Sequence, residues 1–117
     1  MTTPQISLRI DFGAEPAARI GPGKIALLEA IRDERSISAA ARRLGMSYRR
    51  AWLLVDALNR LLAEPVAITE TGGRRGGGSA LTPFGERLVA SYREIERAAA
   101  TATRRERQKL ARLVHRN

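Results

Sequence analysis

The sequence predicts a mainly helical fold with a small β-sheet, and three observations carry that expectation. Ser36 to Asn59 reads SISAAARRLGMSYRRAWLLVDALN: an alanine-rich helical stretch, a glycine, and a second, longer helical stretch opened by serine. Val66 to Thr82 holds two short β-prone runs around GGRRGGG, the pattern of a hairpin with a flexible basic tip. Beyond it Phe84, Leu88, Tyr92, Ile95, Ala99 and Ala102 step by three and four residues, the spacing of a helix that lies along a partner helix. Together these describe a winged helix-turn-helix with a long C-terminal helix.

Composition bounds the reading. The 117 residues suit one domain, divided into a reading head over 1–82 and a helical arm over 83–117. At 44% apolar residues the chain can build a core. With two Phe, two Tyr and one Trp that core must be chiefly aliphatic. There is no cysteine, which excludes disulfides, thiolate metal sites and cysteine nucleophiles. The N-terminus MTTPQISLRIDF lacks the basic leader and continuous apolar core of a signal peptide. No run approaches the roughly 18 apolar residues of a membrane span. A soluble cytoplasmic protein is expected.

Each element has a local reason. Ile6, Leu8, Ile10 and Phe12 alternate with Ser7, Arg9 and Asp11, so 5–12 reads as a half-buried strand. Gly13 to Gly23 reads as a connecting loop. Pro22 suits the first turn of a helix over 22–34, whose stripe is Ile25, Leu28 and Ile31, broadened by Leu27. Ser38 is the expected N-cap of a helix over 39–44. Ala40 and Ala41 allow a close neighbour, Leu44 fills the gap behind, and Gly45 supplies the left-handed turn over Met46. Ser47 caps a helix over 48–63 with Ala51, Trp52, Val55, Leu58 and Leu62 inward. The wing follows as strand 66–71, loop 72–78 and strand 79–82. Thr82-Pro83 then caps and opens the last helix, whose seam degrades at Glu106. After Arg104 the chain either continues helical or frays.

Charge locates the candidate site. Net charge is +9, and all but two of the 21 basic residues are arginine, a planar bidentate donor suited to phosphate and guanine. Residues 1–37 carry five charges of each sign, so the whole surplus lies from Ser38 onward. Tyr48, Arg49 and Arg50 follow the Ser47 cap, where a recognition helix meets base edges. Two arginines there oppose the positive end of the helix dipole, a cost that a bound phosphate offsets. Arg42 and Arg43 sit on the preceding helix as candidate phosphate contacts. Arg74 and Arg75 occupy the wing tip, with glycines on both sides that permit close backbone approach. The seam residues Phe84, Leu88, Tyr92, Ile95 and Ala99 are the candidate dimer interface.

With these elements in place, residues 20 to about 97 resemble the N-terminal winged helix-turn-helix domain of ModE-type molybdate-responsive regulators. The resemblance rests on SISAAARRLGMSYRRAW, TGGRRGGGSALT and PFGERLV. LysR-type regulators share the helix-turn-helix pattern and the following helix but not this wing. The resemblance implies a dimer that binds double-stranded DNA and controls genes of molybdenum transport or metabolism, its N-terminal strand and C-terminal helix helping it to dimerise. Members of the family sense molybdate through C-terminal oxyanion-binding domains. The chain ends at Asn117 without a counterpart of them, so no cofactor is expected and the chain is expected to act without its own sensor.

Other readings are weaker. A phosphate-cradling nucleotide loop needs a lysine before Ser79 and a helix directly after it, and neither is present. Trp52 reads as core by its helical phase. His115 is the lone histidine, and no nucleophile, base or metal set suggests an enzyme. Two rivals survive: a winged helix that docks proteins, for which an apolar rather than arginine-rich surface is expected, and a stand-alone molybdate or oxyanion binder.

Overall fold

Helix α1 (Pro22–Glu34) is the beam on which the molecule is assembled. It buries Ile25, Leu27, Leu28, Ala30 and Ile31, too many for one stripe, because it is packed on two sides. Leu27, Ala30 and Ile31 join Ile37, Ala40, Ala41, Ala51, Val55 and Ala67 in one core. Ile25 and Leu28 join Ile20, Leu58, Val66, Val89 and Tyr92 in a second. The first core holds α2 (Ile37–Leu44) and α3 (Tyr48–Leu61). The second anchors the end of α3 to α4 (Pro83–Ala102). The computed structural model describes residues 2–73 and 76–115.

The N-terminal expectation needs correction. The alternation is present, with Ile6, Leu8 and Ile10 half-buried and Gln5, Ser7, Arg9 and Asp11 exposed. Ladder pairing is limited to β1 (Ile10–Asp11), antiparallel to β2 (Arg19–Ile20), inside the stretch read as a loop. The cause is local. A 3-10 turn at Pro16–Ala18 sends the chain back, and Pro22 opens α1 so soon that only two residues can pair. Phe12 falls past the pairing and is 58% exposed rather than inward. The remaining segment is held by side chains instead. The Tyr92 hydroxyl donates to the Leu8 carbonyl at 2.7 Å, and the Arg107 guanidinium donates to the Pro4 carbonyl.

The hairpin consists of β3 (Ala67–Gly73) and β4 (Gly76–Leu81), antiparallel with Ala67 opposite Leu81, Thr69 opposite Ser79 and Gly73 opposite Gly76. Its strands run through most of the glycines expected in the loop, with a register shift between Glu70 and Gly73. Arg74 and Arg75 lie outside the described residues. The hairpin is tied down at its base. The Ser79 amide donates to the Arg35 carbonyl at 3.1 Å, and the Thr82 amide donates to the Val66 carbonyl at 2.9 Å.

Thr82 caps α4 by accepting from the Gly85 amide at 2.9 Å, and its hydroxyl donates to the Pro65 carbonyl at 2.6 Å. Helix α4 ends at Thr103, whose hydroxyl donates to the Ala99 carbonyl at 2.6 Å. A separate α5 (Arg104–Ala111) follows, so the arm continues as a broken helix. Among the described residues no helix is long and apolar enough to cross a membrane.

Candidate nucleic-acid interface

The α2–turn–α3 unit is built by backbone accounting at two helix ends. Ser36, not Ser38, is the N-cap of α2 and accepts from the Ala39 amide at 3.0 Å. The helix therefore starts earlier than expected, at Ile37, which is buried and needs that first turn. Gly45 takes a left-handed φ of 69° and donates to the Ala41 and Arg42 carbonyls. The Met46 amide donates to the Ala41 carbonyl at 3.0 Å, so the last carbonyls of α2 are satisfied as the chain turns. Ala40, Ala41 and Ala51 are 0–1% exposed, and their small side chains let α2 and α3 approach closely. Leu44 does not fill the gap behind; it stands at the rim, 36% exposed. Ser47 caps α3 by accepting from the Arg50 amide at 3.1 Å.

This frame sorts the arginines. Arg43 is engaged by the acids at the end of α1, with Asp33 at 3.1 Å and Glu34 at 3.4 Å. Arg42 donates to the Ser38 hydroxyl at 3.1 Å, and Arg60 pairs with Asp56 one turn before it at 3.0 Å. Arg49 and Arg50 are exposed and have no acidic partner among the described residues. Tyr48 is 55% exposed. It borders a cleft of about 460 Å³ between the start of α2 and the hairpin, shared with Ser36, Thr69 and Ser79. Arg49 and Arg50 border the opposite side of α3.

Trp52 overturns its expected place in the core: it is 43% exposed. The inward positions of α3 are the narrower set Ala51, Val55 and Leu58, with Leu54 half-buried beside them. Small alanines bring α2 too close to admit an indole. Trp52 instead borders a cleft of about 420 Å³ with Ile68 and Pro65. Leu62, expected inward, is the half-buried C-cap of α3. Asn59 joins α3 to the hairpin. Its carbonyl oxygen accepts from the Val66 amide at 2.8 Å and its amide donates to the Ala67 carbonyl at 3.2 Å. An asparagine near a helix end ahead of a proline was the available signal.

The arm divides its apolar stripe. Gly85, Val89 and Tyr92 are buried within the chain, and Phe84 and Leu88 are half-buried against the second core. Tyr92 is 2% exposed, so its ring is used within this chain. Ile95 is 47% exposed and Ala99 half-exposed farther along. Arg93 fastens the middle of α4 to α1, donating to both Glu29 oxygens at 2.7 and 3.1 Å and to Glu96 at 2.8 Å. These bonds hold the Glu29 carboxyl below the usual carboxylate range and push Arg93 upward.

The pattern described as "Bacterial regulatory helix-turn-helix protein, lysR family" matches residues 23–86, more than half of the chain. The chain belongs to that family of bacterial regulators. Its helix-turn-helix domain is of the ModE type. It is 53% identical over 83 residues to the molybdenum-pterin-binding protein MopB of Rhodobacter capsulatus, a match covering 71% of this chain and 31% of that protein. It is 40% identical over 96 residues to the molybdenum transport protein ModE of Azotobacter vinelandii, covering 82% and 36%. The transcriptional regulator ModE of Haemophilus influenzae is 39% identical over 83 residues, covering 71% and 32%. The chain thus spans about a third of the length of these relatives. In fold it is similar to the protein in the crystal structure of the CbnR_DBD–DNA complex, with a TM-score of 0.57 at 24% identity over 75% of this chain and 95% of that one.

Proposed function

We propose that this chain is a sequence-specific DNA-binding regulator of transcription that acts as a homodimer in the cytoplasm on genes of molybdenum transport or metabolism. One observation carries the DNA reading. At the capped start of α3, Tyr48, Arg49 and Arg50 stand exposed, and the two arginines lack acidic partners among the described residues, whereas Arg43 and Arg60 are engaged. Free arginines at a helix start raise the local positive potential, and a nucleic-acid phosphate or a guanine edge lowers it. The names of the relatives support the molybdenum context.

In this reading the start of α3, with Ser47, Tyr48, Arg49 and Arg50, enters the major groove. Arg42 or Arg43 meets the phosphate backbone, Arg43 only on release from Asp33 and Glu34, and Arg74 and Arg75 at the wing tip meet the flanking backbone or minor groove. Residues 1–82 bind DNA and residues 83–117 pair the subunits through Phe84, Leu88, Ile95 and Ala99, with Tyr92 bracing them from within. A salt titration by fluorescence anisotropy against random duplex DNA tests it. Several neutralised phosphates per subunit give a fall of about a thousandfold in affinity between 50 and 200 mM salt. Absence of binding even at low salt would transfer the arginine surface to a protein partner. Promoters of molybdate-transport genes, compared with unrelated promoters, test the choice of genes.

A further inference from the structure

We propose that Leu53 reads the C5 methyl of a thymine, one or two base pairs from the guanine contacted by Arg49; this rests on the DNA-binding reading above. Ala51, Val55 and Leu58 define the buried face of α3. At 3.6 residues per turn, the positions diametrically opposite are Arg49, Leu53 and Arg60. Leu53 is 46% exposed at the middle of that line. A single leucine on a surface is ordinary, but this one sits in particular company. It lies in a cleft of about 610 Å³ with Arg49 and Arg50 on the same helix, Ala57 beside it, and Pro16 and Ala17 facing them. Among the described residues no acidic side chain borders the cleft. An apolar group set among unpartnered guanidiniums matches one feature of the major groove. Guanine offers acceptors to arginine, while thymine alone offers a methyl group beside the same phosphate backbone. Leu53 follows Arg49 by four residues, about 6 Å along the helix, against about 3.4 Å between successive bases. That spacing sets the distance of one or two base pairs.

The test begins with selection of binding sites from a random duplex pool by the full chain. Each thymine of the selected site is then replaced singly by deoxyuridine, which removes only the methyl group, and affinity is measured by anisotropy. The wild-type chain is expected to lose about fourfold at one thymine near the Arg49-dependent guanine, the ratio that corresponds to one buried methyl. In Leu53→Ala that penalty disappears, while an unchanged circular dichroism spectrum and melting temperature show that the fold is intact. If no thymine is methyl-dependent, or if the dependence persists in Leu53→Ala, the assignment is wrong. If selection enriches no site at all, the sequence-specific reading itself fails and takes this inference with it.

Discussion

At the scale of single residues, α3 separates groups that serve the fold from groups left free for a ligand. Ser47 spends its hydroxyl on the Arg50 amide, while the Arg49 side chain is exposed without an acidic partner among the described residues. Arg49→Ala is therefore expected to leave thermal stability unchanged or slightly raised, since it removes a positive charge from the positive end of the helix dipole. It should cost about 1–3 kcal/mol of binding and relax one base position, as measured on single-base variants of a selected site. Equal affinity and equal preference in the variant would remove Arg49 from the reading set. Trp52 gives the contrasting case. A buried tryptophan truncated to alanine loses about 3–5 kcal/mol. At 43% exposure, Trp52→Ala should lose only about 2 kcal/mol in urea unfolding, in proportion to the part of the ring that is covered. A loss in the buried range would return the indole to the core.

At the scale of elements, stability is concentrated where the hairpin, α3 and α4 meet. Gly85 is buried in the first turn of α4, and a Cβ there would stand 2.2 Å from the Val66 carbonyl oxygen and 2.8 Å from Leu81. Backbone on one side leaves little room to yield, so Gly85→Ala should destabilise by about 1–3 kcal/mol in denaturant unfolding. A neutral result would mean that the hairpin base can shift. The α1–α4 contact carries a pH signature. Arg93 holds the folded-state value of Glu29 below the ordinary 4.5. A lowered folded value means that the stabilisation is complete above the unfolded value and is lost as pH falls through the folded one. Glu29→Gln should thus be about 1–2 kcal/mol less stable at neutral pH, the scale of a charge-assisted bond. The two unfolding curves should converge below about pH 4.5, where the wild type loses the same contribution. A constant gap down to low pH would assign the difference to something other than this ion pair.

At the scale of the whole molecule, the helical arm sets the shape. The extents are 56 × 32 × 23 Å with a radius of gyration of 17.0 Å, against about 13 Å for a compact domain of about 100 residues. The elongation matches an arm with Ile95 on its surface, 47% exposed. Ile95→Glu places a charge on that face without touching either core. Sedimentation velocity is expected to show a dimer for the wild type and a monomer for the variant, with unchanged secondary structure by circular dichroism. A monomeric wild type would sink the symmetric-pair proposal.

The sequence by itself determined the elements that local chemistry dictates. Pro22 opened α1, Gly45 made the turn, and Ser47 and Thr82 capped their helices, because each satisfies or frees backbone groups within a few residues. The arginine pair at the start of α3 was legible for the same reason: position relative to a cap is a local property. Tertiary structure decided what depended on distant neighbours. Only the packing of α2 could narrow the inward face of α3 and leave Trp52 outside. Only α1, packed on two sides, could draw Tyr92 into the second core of this chain. The early return at Pro16–Ala18 limited β1 to two residues although its alternation was correct. Helical phase marks which residues face inward from one element. How many of them are covered depends on how close the neighbouring element comes and how large its side chains are.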